Sequence, residues 1–557
     1  MVLTSGHDAV VIGSGVGGAA AAWRLCERGL RVLLLEAGPA FDPARDYPLD
    51  RPGWERRGFP EPAHSRAAIS YGDLGRLEPE DEDIAGWSRA GFPWRLPAGS
   101  ARPPSAAGYG HVQGVGGSTL HFVGEAHRLH PRAFRLFTLT GQGADWPLDY
   151  TALEPFYTIA EEVIGVAGDA GADAGGRWRS RAFPQPPHPA SPGAVLLAGA
   201  GRDVGQHWQV NPRAVLSRAE GDRPACNYCG QCARGCPLGD KGSADVTFLR
   251  RARATGRLTL VPLASVVRLV AGPAGRIVRA EVIVGGRREQ VEAPVFVLSA
   301  GAVQTPRLLL LSADADHPAG LANSSGAVGR NFMETLSWLG EGLVDSGLRN
   351  SHMGLPADAV CWDRAAPGRV EGLAGGFRLG HATLEAGLNG PIAYAARLVP
   401  GFGAGFKAAL RARFGTALAV SAVGQVIADE RSRVTLDSEV RDSHGLPAAR
   451  IDSVLTGESR ALLRRMAEAG RAALRAAGAV IGAESSSRDA FTATHVFGTA
   501  RMGTDAATSV VDAHGRAHDH ANLWIADASV FPTSGAGEAP ALTVMALAIR
   551  TADAIVA

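Results

Sequence analysis

Ala9-Val10-Val11-Ile12-Gly13-Ser14-Gly15-Val16-Gly17-Gly18, an alanine-rich run to Arg28, a break at Gly29 and then Arg31-Val32-Leu33-Leu34-Leu35-Glu36 decide the fold. A β-branched strand enters a glycine turn, the turn opens a helix, and the helix leads to a second buried strand that ends in an acid. That is the order a dinucleotide fold requires. Gly13 permits the tight turn, Gly15 lets the backbone approach a pyrophosphate, and Gly18 lets the helix pack close to the strand. The helix N-terminus then presents N–H groups and the positive end of its dipole to phosphates. Glu36 is placed to accept hydrogen bonds from a ribose.

Around that stretch lie 557 residues, 46% apolar and 20% charged, enough for two or three domains. With 56 basic against 55 acidic residues, the chain lacks the excess of positive charge that an electrostatic nucleic-acid binder needs. No apolar run reaches the roughly 18 residues of a membrane helix. The longest candidate, Ala300 to Ser312, carries Gln304, Pro306 and Arg307 and reads as a buried strand leading into a helix. The strand pattern begins at Asp8, which leaves no room for a basic-then-apolar signal, and a soluble cytoplasmic protein is expected. Further along, the pattern predicts loops and short helices over 41–105 and a helix over 146–165 capped by Asp149. It predicts a mobile loop over 167–181, strands over 261–284 (broken at 272–275) and 291–298, a helix over 461–477, a strand over 521–527 and a closing helix over 541–556.

Cys226, Cys229, Cys232 and Cys236 fall close together in a chain of six cysteines. The spacing C-x2-C-x2-C-x3-C-P is that of a ferredoxin-type iron-sulfur motif, either [4Fe-4S] or [3Fe-4S] according to whether Cys236 closes the cluster. Four thiolates also suit tetrahedral zinc, and two disulfides are a third reading, disfavoured in a reducing compartment.

Four motifs in order resemble the glucose-methanol-choline (GMC) oxidoreductases over nearly the whole chain. They are Gly13 to Glu36; Gly116-Gly117-Ser118; the run from Leu298 to Leu309; and His495-Val496-Phe497-Gly498-Thr499-Ala500-Arg501-Met502-Gly503 through Asp527, Pro532 and Thr543. The resemblance implies an α/β, Rossmann-like FAD-binding domain (1–150, 226–330 and 486–557) and a second α+β substrate domain built on an antiparallel sheet (151–225 and 331–485). It places Gly13, Gly15 and Gly18 at the pyrophosphate of FAD, Glu36 at the adenosine ribose and Val266 or Val267 near the adenine. Gly117 and Ser118 fall near the flavin, and Asp527 and Ala528 near the ribityl chain. His121 matches a histidine that cluster-bearing relatives carry within the glycine motif, and in those relatives Cys226 to Cys236 would hold an iron-sulfur cluster acting as an electron outlet.

Family members remove a hydroxyl proton while hydride passes to flavin N5, so a general base is needed, and His495 matches it. The partner position, usually Asn or His just before Pro540, holds Ala539. Its neighbour Glu538 either lines the pocket, which would favour a substrate ammonium, or turns away. The implied partners are a small alcohol substrate and an acceptor that is oxygen, a quinone-like dye or a redox protein. The run Ser118 to Arg128 is similar to flavoproteins that oxidise the 6'-hydroxyl of aminoglycosides in antibiotic biosynthesis. Sugar, sterol and long-chain alcohol oxidation, flavin photodecarboxylation and non-catalytic flavin binding are the rival readings.

Overall fold

Short runs of Val, Leu and Ile with no polar alternation form strands buried on both faces, which is the signature of a parallel sheet. In the computed structural model, which describes residues 6–47, 69–74, 108–169, 176–345, 347–487 and 491–557, they do so. Five parallel strands lie in the order Leu523–Ile525, Val295–Leu298, Ala9–Ile12, Val32–Leu35, Leu258–Val261. The helix Val16–Glu27 buries Ala19 to Ala22, whose small side chains let it lie close to its neighbours. The C-terminal helix Ala541–Val556 packs on it and on the helix Tyr150–Ile164. At the C-terminal ends of the helices Val16–Glu27 and Ala541–Val556, Asp553 accepts from Arg24 at 2.8 Å and from Arg28 at 2.9 Å.

A second, antiparallel sheet has the order Ala479–Ser486, Leu336–Val344, Ala417–Gly424, Phe377–His381, Ala359–Cys361, Trp208–Val210. The helix Gly457–Ala476 covers one face. It begins earlier than the predicted 461 because Thr456 caps it, accepting from the Ser459 N–H, and Glu458 occupies the first turn. The other face carries Leu339, Arg378, Ser421, Val423 and Ser485 into a large cavity between the sheets.

Other expectations meet small corrections. The stretch 300–312 is helical from Gly301 to Leu311 and the strand before it ends at Leu298. The break falls at Gly301, whose φ of +81° interrupts the extended backbone. Most of the predicted loop region 41–105, and residues 170–175 of the loop 167–181, lie outside the described residues. No helix among the described residues is long and apolar enough to cross a membrane.

Trp338, 1% exposed, is seated over two glycines, Gly340 on its own strand and Gly470 on the covering helix. A methyl at Gly470 would overlap its ring. Gly470→Ala gains about 1 kcal/mol of helix propensity but overpacks a filled site at about 1–3 kcal/mol, so the net effect is a loss. The control is Gly457→Ala, where nothing lies within 4 Å of the added methyl. Thermal melting should fall for Gly470→Ala and stay level or rise for Gly457→Ala.

Candidate active site

The cavity has a volume of about 920 Å³ and runs from the first glycine loop to the antiparallel sheet. At its first end Gly13 takes φ +94°, and a Cβ there would sit 2.5 Å from the Ser299 carbonyl oxygen. A Cβ on Gly18 would overlap the Gly13 carbonyl, so Gly18 serves helix packing and does not line the cavity. Gly15 differs: nothing lies within 4 Å of a Cβ built on it. It stands at the start of the first helix, which has no side-chain cap and no acid in its first turn. An uncapped helix start of this kind leaves backbone N–H donors for an anion. Gly117, at φ +57°, lies against Gly15, with its Cβ position 2.6 Å from the Gly15 Cα.

Ser14 links the two glycine loops, its Oγ donating to Glu36 at 2.7 Å and accepting from the Gly116 N–H at 3.2 Å. Glu36 also accepts from the Ser14 N–H at 2.9 Å and the Gly38 N–H at 2.8 Å, and burial raises its pKa. Val266 and Val267 line the same end. Further in, Asp527 accepts from Thr305 Oγ1 at 2.6 Å, Ser529 N–H at 2.8 Å and Gly301 N–H at 2.9 Å. Ser118, His121, Ala528 and His495 share that stretch of wall. Of the residues singled out in the sequence, the cavity therefore gathers Gly13, Gly15, Glu36, Gly117, Ser118, His121, Val267, Asp527, Ala528 and His495.

His495 is half-buried, and enclosure pushes its pKa down to about 4, with Glu125 pulling up and Arg378 pushing down. The ring is neutral at physiological pH. Beside it Ala539 lines the cavity, and the loop that carries it is held by a closed chain of hydrogen bonds. The Ala539 N–H donates to His127 Nδ1 at 3.0 Å, and His127 Nε2, the protonated nitrogen in this arrangement, donates to Asn211 Oδ1 at 2.7 Å. The Asn211 amide donates to Glu125 at 2.7 Å. Arg378 donates to Glu125 at 2.7 Å and to the Gly537 carbonyl at 2.7 Å. Sequence reading had no signal for Arg378 or Asn211, which come from distant segments and belong to no motif.

Glu538 requires a correction. It is fully buried, does not line the cavity, and pairs with Arg177 at 2.5 Å while accepting from the Ala536 N–H at 2.6 Å and the His130 N–H at 3.1 Å. Burial alone would raise its pKa, but the Arg177 guanidinium outweighs it and holds the carboxyl low. Glu538 stabilises the turn before Ala539 and turns away from the cavity.

The cysteines also depart from expectation. Cys232 turns into a small core with Val215 and Leu355, Cys226 packs against that core, Cys229 is exposed, and Cys236 Sγ donates to Asp240 at 2.6 Å. Burial and Asp240 push the Cys236 thiol up to about 12. Among the described residues no group of three or more His, Cys, Asp or Glu is placed to hold a metal ion, so neither an iron-sulfur cluster nor zinc fits these thiols as arranged. The loop is nonetheless tied to the cavity. Buried Lys241 donates to the Cys232, Leu120 and Phe122 carbonyls at 2.7, 2.8 and 3.0 Å, on either side of His121.

A parallel-sheet domain with an anion-ready glycine turn, joined through one cavity to an antiparallel sheet and a neutral histidine, defines a dinucleotide-dependent oxidoreductase. Family models agree: two described as GMC oxidoreductase match residues 194–336 and 428–548, and one for NAD(P)-binding Rossmann-like domains matches 11–41. Paromamine 6'-oxidase of Streptomyces fradiae is 30% identical, the match covering 98% of this chain and 91% of that one. 2-Methyl-1,2-propanediol dehydrogenase of Mycolicibacterium austroafricanum is 29% identical over 98% and 95%. The pyridoxine 4-oxidase structure from Mesorbium loti shares the fold, with TM-score 0.63 at 19% identity over 99% of both chains. The chain belongs to the GMC oxidoreductase family and is an FAD-dependent alcohol oxidoreductase.

Gly15 has φ −61° and ψ −174°, open to any side chain. Gly15→Val should leave melting of the flavin-free protein unchanged and abolish yellow flavin absorbance, whereas Gly18→Ala should lower melting.

His111, His121, His127 and His495 are each pushed down to about 4, chiefly by burial. Unfolded, each takes a proton near its ordinary value of about 6.5. The unfolded state thus binds more protons between about pH 6.5 and 4, and stability present above that window is lost as pH falls through it, by about 1.4 kcal/mol per pH unit for each histidine. Denaturant midpoints of the flavin-free protein measured from pH 8 to 4 should drop steeply below 6.5.

Proposed function

We propose that this enzyme oxidises a primary hydroxyl of a polar, polyhydroxylated substrate, an aminoglycoside foremost, to the aldehyde or acid. The observation that carries the reading is His495, a neutral ring on the cavity wall with no hydrogen-bond partner among the described residues. Gly13, Gly15 and Gly117 would receive the phosphates of FAD, Glu36 its ribose, Val267 its adenine, and Asp527 with Ala528 its ribityl chain. FAD, when bound, supplies the acceptor for the hydride leaving the carbinol carbon. His495 takes the hydroxyl proton on a ring nitrogen, and its low pKa keeps that nitrogen available at neutral pH. Ala539 offers no second hydrogen-bonding side chain, so the proton rests with His495 alone. Glu125, whose charge raises the His495 pKa more than Arg378 lowers it, favours the ring as it takes up that proton. The aminoglycoside component draws support from the likeness to paromamine 6'-oxidase across both chains.

His495→Ala should retain flavin and lose about 10²- to 10⁴-fold in the rate at which an alcohol bleaches it anaerobically. Bleaching at the wild-type rate would rule out this assignment.

A further inference from the structure

Five carboxylates line the large cavity: Glu36, Glu125, Glu385, Asp442 and Asp527. Four are engaged. Glu36 and Asp527 each accept three protein donors, Asp442 pairs with Arg307 at 2.6 Å, and Glu125 pairs with Arg378. Those two arginines are the cavity's only Arg or Lys side chains among the described residues, and both are committed. Glu385 has no hydrogen-bond or ion-pair partner among the described residues.

Its position is built rather than accidental. Glu385 sits in a tight turn after the strand Phe377–His381, closed by Ala386 N–H to the Ala382 carbonyl at 2.8 Å and Leu388 N–H to the Thr383 carbonyl at 3.1 Å. Thr383 Oγ1 accepts from the Ala419 N–H at 3.0 Å, which anchors the turn to the neighbouring strand. On its other side Glu385 lines a cavity of about 100 Å³ with Gln231 and Arg234, and no ion pair joins it to Arg234. Glu385 is exposed on this wall, with Glu125 nearby raising its pKa and Arg213 and Arg378 lowering it. An exposed carboxylate on the cavity wall, with no protein donor of its own among the described residues, is free to meet a cation delivered by the ligand.

Resting on the alcohol-oxidising reading above, we propose that Glu385 receives an ammonium group of the substrate and so selects amino sugars over neutral sugars. This gives the cavity the acid that Glu538 does not supply.

The test is calorimetric titration of FAD-loaded protein at pH 7 with paromamine and with a counterpart carrying hydroxyls in place of its amino groups. Wild type should bind paromamine about 2- to 5-fold more tightly, as expected of a solvent-exposed ion pair. Glu385→Gln should remove most of that difference without changing affinity for the neutral compound, and Glu385→Asp should keep part of it. Flavin content and melting verify that each variant is folded. Equal or absent binding of the two compounds by wild type, or a preference that survives Glu385→Gln, would overturn the proposal. Flavin bleaching is read separately: a Glu385-dependent preference without bleaching by any alcohol would uphold the ammonium site and overturn the oxidation reading beneath it.

Discussion

The substrate end of this molecule depends on one closed circuit of buried hydrogen bonds, from the Ala539 N–H through His127, Asn211, Glu125 and Arg378 back to the Gly537 carbonyl. Each member satisfies the next, and removing one would strand a buried charge or amide. Breaking a buried pair of this kind costs about 3–5 kcal/mol. The circuit draws on four separated stretches of chain, so it forms only when both sheets are assembled. It holds the backbone of residues 537–539, where Ala539 carries no hydrogen-bonding side chain, and it fixes Glu125 and Arg378, whose opposed charges bear on His495 while burial keeps that ring neutral.

A complementary constraint governs the other end, where atoms are kept out rather than held in. Gly13, Gly18 and Gly117 each lie where a single added carbon meets backbone, so the two glycine loops touch and the first helix sits hard against its turn. Gly15 alone has room above it. The space belongs to the ligand, and the side chains around it are arranged before any ligand arrives, since Glu36 and Asp527 are already oriented by protein donors.

What could be read from the sequence follows from range. Gly13 to Glu36 is legible because its meaning is local: the strand, turn and helix are contiguous, and the conformations glycine permits fix their geometry. Asp149 as a helix cap is legible for the same reason. Glu538 was not, because adjacent residues of an irregular loop face different ways, and only the distant Arg177 shows which way the carboxylate went. The cysteines show the converse. Their spacing meets a cluster's requirement along the chain, but the direction of each thiol is set by packing partners such as Val215 and Leu355, which no spacing records. Arg378 and Glu385, from one strand and the turn after it, carry the charges that matter at the substrate end without any motif to announce them.

The parallel sheet has a further consequence, for the order in which the protein is made. Its strands come from residues 9–12, 32–35, 258–261 and 295–298, yet its edge is completed by 523–525, and the first helix is covered by 541–556. On a ribosome the glycine turn emerges early and then waits for several hundred residues before the strand that flanks its sheet and the helix that shields its alanines exist. During that interval an apolar helix face and an unpaired strand edge are both open to other chains, the condition under which nascent proteins associate wrongly. The antiparallel sheet, whose strands all lie between 208 and 486, can assemble before then. The half of the molecule that reads first in the sequence is thus the half that closes last.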